Sequence, residues 1–97
     1  MRILWTKLAK FHLTKLHEYI SRDSKYYANV FALRIKKTVL RLEKFPESGR
    51  IIPEIGNENA REIVYGSYRI MYEIRDETVY ITQIIHGSMD FSGEENQ

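Results

Sequence analysis

The chain contains no cysteine, only two prolines and no long apolar run. Without cysteine there can be no disulfide, no thiolate zinc site and no cysteine nucleophile. A membrane-spanning helix needs roughly 18–20 consecutive apolar residues, and no stretch comes close to that. The opening residues, MRILWTKLAKFH, are too polar for a signal peptide. We therefore expect a cytoplasmic protein that has no membrane partner.

Ninety-seven residues are enough for one domain, because a second core would need roughly another 50 residues. The composition, 43% hydrophobic and 29% charged, is ordinary for a globular protein. We expect residues 1–90 to form a single domain. Residues 91–97 are polar and acidic, and we expect them to be a flexible tail.

Charge is distributed unevenly along the chain. Residues 1–50 carry twelve Lys and Arg against four Asp and Glu, a net charge of +8, whereas residues 51–97 carry three against nine, a net charge of −6. A basic half suggests an anionic partner, either nucleic acid or an acidic protein segment. Helices whose lysines are simply solvated would give the same pattern.

Two amphipathic helices are predicted after a short apolar strand, RILW. Thr6 can cap the first helix and Ser24 the second. In each predicted helix, apolar residues recur every three or four positions, which is typical of a helix with one buried face. The stripe of the second helix comprises Ala28, Phe31, Ile35, Val39, Leu42 and Phe45. Pro46 should end that helix, because a residue before proline is pushed out of helical geometry.

The second half of the chain reads as a loop followed by three strands. The segment PESGRIIPEIGNEN is rich in proline, glycine and asparagine and is therefore predicted to be a loop. The runs REIVY, YRIMYEIR and TVYITQIIH are separated by Gly66-Ser67 and Asp76-Glu77, which are short enough for tight hairpins. The predicted fold is α+β: a short N-terminal strand and a helical hairpin packed on one face of a small antiparallel sheet, in the order β-α-α-β-β-β.

The last hairpin predicts which strand residues share a face. A two-residue turn at Asp76-Glu77 pairs Tyr68 with Ile85 and directs both toward the helices. Arg69 and His86 then lie on the opposite, open face as diagonal neighbours, within reach of a shared ligand. Arg50 and Arg61 can join Arg69 there as an anion-binding patch. A surface ion pair with Glu62 or Glu73 is the simpler alternative for Arg69.

No metal site or cofactor is expected from the histidines. His12 and His17 lie five residues apart on one helix, which is the wrong spacing for a shared metal ion. His86 is far from both in the sequence.

Several motifs resemble those of the RelE/ParE superfamily of bacterial type II toxin–antitoxin toxins. They are W-T-x-x-A at the first helix, F-P-E-S-G-R-x-x-P-E after the second, R-E-I-V-Y-G-S-Y-R-I-M-Y-E-I, and I-I-H-G. Together they span roughly residues 1 to 90. The resemblance implies a small toxin silenced by a cognate antitoxin. RelE-like members cleave mRNA on the ribosome, and ParE-like members poison DNA gyrase.

The resemblance also implies roles for particular residues. RelE-type cleavage needs a general base, cations for the developing phosphorane charge, and an acid for the leaving group. Arg69 matches a phosphate-contacting arginine of that branch, Glu54 a carboxylate base, and His86 a catalytic position at the last strand. The antitoxin would offer a helix and an extended strand, with acidic side chains that meet Arg34, Lys37 and Arg41.

Departures from the RelE pattern favour the ParE branch. Basic residues are expected after the last strand, but the chain reads HGSMDF there, with no lysine or arginine. We therefore expect gyrase inhibition by a toxin without catalysis of its own. The alternatives are ribosome-dependent mRNA cleavage without a metal, and an inactive module that binds the antitoxin and reaches operator DNA only through it.

Overall fold

The computed structural model describes residues 1–87, and its elements follow the predicted order with one additional short strand. The elements are β1 (Arg2–Trp5), α1 (Lys7–Ser21), α2 (Lys25–Leu40), a short 3₁₀ turn (Arg41–Glu43), β2 (Arg50–Ile51), β3 (Ala60–Tyr65), β4 (Tyr68–Arg75) and β5 (Thr78–His86). The additional strand, β2, lies inside the segment predicted to be a loop. No helix among the described residues is long and apolar enough to cross a membrane.

Both predicted helix caps are confirmed. The Thr6 hydroxyl accepts a hydrogen bond from the Ala9 amide at 3.1 Å, and the Ser24 hydroxyl accepts one from Tyr27 at the same distance. Each bond satisfies an amide that has no partner within its helix. The Thr6 hydroxyl also donates to the Ile81 carbonyl at 2.8 Å, so this cap ties α1 to β5.

The second helix ends earlier than proline alone would require. α2 stops at Leu40 and tightens into the 3₁₀ turn, which buries Leu42. Phe45 was predicted to be the last residue of the buried stripe, but it is 63% exposed. The tightened turn changes the angular spacing of the side chains, so Phe45 no longer faces the sheet.

The sheet is mixed rather than wholly antiparallel as predicted. Its strand order is β1-β5-β4-β3-β2, and β1 runs parallel to β5 while the other pairs are antiparallel. Only hairpins fix strand direction locally. The helical hairpin separates β1 from its partner, so no turn dictates the direction of β1.

Both predicted hairpins form. Asp76 and Glu77 have φ angles of 51° and 57°, as a type I′ turn requires of its two central residues. In the first hairpin Gly66 has φ of 58°, and a residue with a side chain would be strained at this position. From Arg75 to Tyr72 the β4–β5 register is the predicted one.

A β-bulge in β5 changes the register at the functional end of the sheet. Tyr72 pairs with Ile81 but Met71 pairs with Gln83, so Thr82 is the additional residue. Beyond it, Arg69 pairs with Ile85 rather than Ile84. A one-residue shift exchanges the faces of all following side chains.

The main core lies between the helices and the sheet. It is built from buried residues of α1, α2 and the central strands: Ala9, Ile35, Val39, Leu42, Ile63, Ile70, Tyr72, Val79, Ile81 and Ile84. A second cluster packs away from this core, and its members are Ile52, Ala60, Met71 and Ile85. Met71 was predicted to lie on an open face, but it is 1% exposed. Ile52 and Ala60 bracket a loop of residues 53–59, so that face is partly covered.

Candidate functional site

Four charged side chains form a cluster on the sheet, and it alternates in sign. Its members are Arg50 on β2, Glu54 in the following loop, Glu62 on β3 and Arg69 on β4. Arg50 pairs with Glu62 across the strands, and Val64 pairs with Arg69, so Glu62 is the diagonal neighbour of Arg69. With two cations and two carboxylates, the cluster carries no net charge.

Glu62 is the buried centre of the cluster. Its side chain is 0% exposed and each of its oxygens accepts from a different arginine. Arg69 Nε donates to Oε1 at 2.7 Å, and Arg50 Nε donates to Oε2 at 2.6 Å. A buried carboxylate needs such partners, because burial without them would cost several kcal/mol.

Glu54 binds the outer edge of the Arg69 guanidinium, which carries Nη1 and Nη2. Arg69 Nη1 and Nη2 donate to its two carboxylate oxygens at 2.9 and 2.8 Å, which is a bidentate fork. These hydrogen bonds, helped by the backbone amide of Glu54, lower the pKa of Glu54 to about 2. The same bonds raise the pKa of Arg69. At neutral pH both groups are therefore fully charged.

The side chain of Tyr72 holds the loop that carries Arg50. Its hydroxyl donates to the Pro46 carbonyl at 2.7 Å and accepts from the Gly49 amide at 3.0 Å. Burial raises the pKa of Tyr72, so the hydroxyl stays protonated and can donate. A Cβ on Gly49 would lie 2.6 Å from the Glu62 carbonyl oxygen, so only glycine fits here.

Arg61 does not join the predicted anion patch. It pairs with Tyr72 and therefore lies on the helix-facing side of β3. Its guanidinium donates to the carbonyls of Glu58 at 2.8 Å and Gly49 at 2.9 Å. Arg61 braces the loop, and the sheet separates it from Arg50 and Arg69.

His86 also lies on the face opposite Arg69, contrary to the predicted placement. Because of the bulge it pairs with Tyr68, and the two rings make an edge contact with centroids 5.6 Å apart. Tyr68 packs in turn against Phe31 of α2, at 5.1 Å between centroids. The bulge therefore separates the two residues that the unshifted register had placed together.

Of the predicted site residues, the structure brings together Arg50, Glu54 and Arg69. Glu62 was predicted only as a surface partner of Arg69, whereas it is the buried anchor of the cluster. A signal for it was present in the Gly66-Ser67 turn. Counting outward from that turn pairs Val64 with Arg69 and puts Glu62 on the same face.

A shallow cavity of about 230 Å³ opens beside the cluster. The residues that line it are Arg50, Pro53, Glu54, Val64, Gly66, Ser67, Tyr68, Arg69 and Gly87. Glu54 and Arg69 both line this space, and each outer nitrogen of Arg69 donates to Glu54.

A mixed basic and apolar surface covers the outer side of α2, where Arg34, Lys37 and Arg41 were predicted to contact a partner. Their spacings of three and four residues place these cations on one helix face. Leu33 and Leu40 share that face and are 67% and 55% exposed. Within residues 1–87 none of the three cations forms an ion pair. Lys37 and Arg41 line a cavity that reaches Val64 and Tyr65 of β3.

Comparison with known proteins places this chain in the RelE/ParE superfamily of toxins from type II toxin–antitoxin systems. The chain belongs to the ParE toxin family: residues 3–91 match the family described as the ParE toxin of the type II toxin–antitoxin system parDE. Membership of this family implies an antitoxin partner.

One known toxin and one solved structure are similar to this chain. Toxin RelE2 of Caulobacter vibrioides is 33% identical over 88 residues, which cover 90% of this chain and 96% of the relative. A solved chain of the chromosomal ParDE system from P. aeruginosa shares the fold, with a TM-score of 0.74. It is 17% identical, and the match covers 89% of this chain and 95% of that one.

Proposed function

We propose that this ParE-family toxin arrests bacterial growth by inhibiting DNA gyrase and that a cognate antitoxin neutralises it. The family match, which extends over residues 3–91, supports a ParE-type action. The observation that carries the choice of target is the register shift in β5, which leaves His86 on the face of the sheet opposite Arg69 and Glu54, so the predicted catalytic residues are not assembled on one side of the sheet.

The geometry gives little support to mRNA cleavage. A general base works best when its pKa is close to the working pH, and that of Glu54 is about 2. Arg69 would have to release Glu54 before it could stabilise a phosphorane. His86 lies on the face of the sheet opposite Arg69 and is not among the residues that line the cavity beside it. The three predicted catalytic residues therefore do not form one active site as they stand.

Ribosome-dependent mRNA cleavage is the second candidate, because the curated relative carries the name RelE2. It would require Glu54 to move and other residues to supply the acid and base. A metal is not required by that chemistry.

Induced expression in bacteria, with purified protein assayed in parallel, tests the proposal. In bacteria we expect growth arrest that is relieved when the antitoxin is co-expressed. With purified gyrase we expect gyrase-linked breaks to accumulate in a DNA-cleavage assay. Codon-specific cuts in a translating extract with no effect on gyrase would replace gyrase by the ribosome as the target. Unchanged growth with confirmed folded protein would leave an inactive antitoxin-binding module as the function.

We also propose that the antitoxin docks on the outer surface of α2. Exposed Leu33 and Leu40 beside Arg34, Lys37 and Arg41 suit an amphipathic acidic helix, or a strand that follows the edge of β3. Beyond the two-residue β2, the outer edge of β3 near Val64 has no strand partner among residues 1–87. Operator DNA would be reached only through the antitoxin.

A further inference from the structure

We propose that Arg69 is a recognition site for a carboxylate of a protein partner and that Glu54 occupies this site as an exchangeable internal ligand. This inference goes beyond the choice between gyrase and the ribosome, because it names the chemical group that Arg69 Nη1 and Nη2 bind.

The two glutamates on Arg69 differ in how easily they can leave. Glu62 is fully buried on a strand paired on both sides, and a second arginine holds its other oxygen. Glu54 lies in a loop, its side chain is 37% exposed, and its only ion-pair partner is Arg69 among the described residues. Displacing Glu54 breaks one bidentate contact at the surface. Displacing Glu62 would break its bonds to both Arg50 and Arg69 and disturb the strand on which it lies.

Release of Glu54 would leave a positively charged site whose hydrogen-bond donors are already oriented. Arg69 keeps its orientation because Nε stays bound to Glu62, so Nη1 and Nη2 would face the cavity. The remaining charges are Arg50, Arg69 and Glu62, a net of +1. A planar carboxylate fits such a fork with two parallel hydrogen bonds, which is the geometry Glu54 adopts now.

The surroundings favour a protein over a nucleic acid as the source of the carboxylate. Beside the fork lie Pro53 and Val64, and Val64 is 56% exposed. Nucleic-acid backbones are bound by several cations with aromatic platforms for the bases. The cavity offers one cation besides Arg69, and its one aromatic ring, Tyr68, is packed against Phe31 and His86. An acidic residue flanked by apolar residues matches this lining.

The internal ligand weakens any external one by competition. The apparent dissociation constant rises in inverse proportion to the fraction of molecules whose site is open. Removing the Glu54 carboxylate should abolish this penalty. Glu58 offers a matched control, because it is an exposed glutamate of the same loop whose side chain makes no ion pair within residues 1–87.

Binding of a small probe peptide measures the exchange. Acetyl-Val-Glu-Val-amide is titrated into wild type, Glu54→Gln and Glu58→Gln, with the Arg69 Nε–H and Gly66 amide resonances as the NMR readout. We expect Glu54→Gln to bind at least tenfold more tightly than the other two proteins. The peptide with Gln in place of Glu should cause no shift at the same concentration.

Equal affinity in wild type and Glu54→Gln, or no binding by the folded variant, would overturn the proposal. Tighter binding of a uridine dinucleotide than of the peptide would overturn the protein assignment. Should Glu54→Gln fail to fold, the side-chain carboxyl carbon of Glu54 in the wild type decides. Its resonance should move when the Glu peptide is added, and an unmoved resonance refutes the exchange.

Discussion

Glu54 and Glu62 bind the same guanidinium, but their surroundings give the two ion pairs different consequences. Glu62 is fully buried, and two short hydrogen bonds to arginines replace its bonds to water. Removing the Glu62 carboxylate would leave the buried charge of Arg69 with one fewer counter-charge. Glu54 remains partly in water, where screening reduces what an ion pair contributes. The same residue type is therefore a fixed support in one position and a labile contact in the other.

Glu54→Gln is predicted to lower the free energy of unfolding by about 1 kcal/mol at pH 7, a small value because solvent screens the partly exposed pair. The pKa of Glu54 falls from an ordinary value of 4.5 to about 2 on folding. The stabilisation is therefore complete above about pH 4.5 and is lost as the pH falls toward 2. Urea unfolding of both proteins across this range measures the difference. A gap that stays constant down to pH 2 would contradict the assignment.

At the level of elements, the loop between α2 and β3 is held by side chains from the sheet in addition to its own turns. Tyr72 binds the loop at Pro46 and Gly49, and Arg61 binds it at Gly49 and Glu58. Both side chains lie on the helix-facing side of the sheet, opposite Glu54 and Arg69. The loop is thus fixed from the helix-facing side of the sheet, and it presents Arg50 and Glu54 on the opposite side.

Tyr72→Phe should lower the free energy of unfolding by about 1–3 kcal/mol, because the buried Gly49 amide loses its acceptor. Thermal and chemical unfolding measure the loss. Tyr80→Phe is the matched control, since the half-buried Tyr80 ring lies under the Arg75 guanidinium and its hydroxyl bonds to none of the described residues. We expect the control to change stability by less than about 0.5 kcal/mol. Equal effects in the two variants would argue against the loop clamp.

A histidine of α1 binds a backbone amide of β5 just beyond the bulge. The Ile84 amide donates to His12 Nδ1 at 3.1 Å, so this nitrogen carries no proton. His12→Phe should leave that amide unsatisfied, cost about 1–3 kcal/mol, and speed hydrogen exchange at Ile84 by at least tenfold. His17→Phe serves for comparison, because within residues 1–87 the side chain of His17 bonds only to exposed Asn29. Unchanged exchange at Ile84 would show that the bulge is stable without His12.

Over the whole molecule, the basic residues collect on the helices while the neutral charge cluster lies behind the sheet. The two surfaces can therefore serve different partners. Antitoxin binding through α2 would be strongly electrostatic, and the carboxylate site on Arg69 would depend on one buried fork.

The charge-reversal pair Lys37→Glu with Arg41→Glu is predicted to weaken antitoxin binding at least tenfold and to reduce its salt dependence. Like charges would then face the acidic residues of the partner. Lys7→Glu with Lys25→Glu makes the same change in net charge at the N-terminal ends of the two helices, and we expect less than a threefold effect. Calorimetric titration at two salt concentrations measures both. Equal losses in the two variants would mean that net charge, not this face, governs binding.

Local signals were sufficient to predict most of the fold. Thr6 and Ser24 are caps that act within one turn. β4 and β5 have the predicted bounds, and β3 begins one residue earlier than predicted, at Ala60. The sequence also pointed to Arg69 and Glu54 as neighbours in function. The direction of β1 and the exposure of Phe45 were not predictable in this way, because they depend on contacts between distant segments.

The sequence by itself determined the order of the helices and of the four longer strands, the helix caps and the two tight turns, since each depends on residues close together in the chain. Its motifs, spread over the domain, indicated the toxin superfamily. The tertiary structure decided which charged groups meet. The bulge at Thr82 moves His86 to the helix side, while Arg69 stays on the face that carries Glu62 and Glu54. A single additional residue in a strand reverses every side chain beyond it, and hydrophobic alternation alone does not locate such a residue.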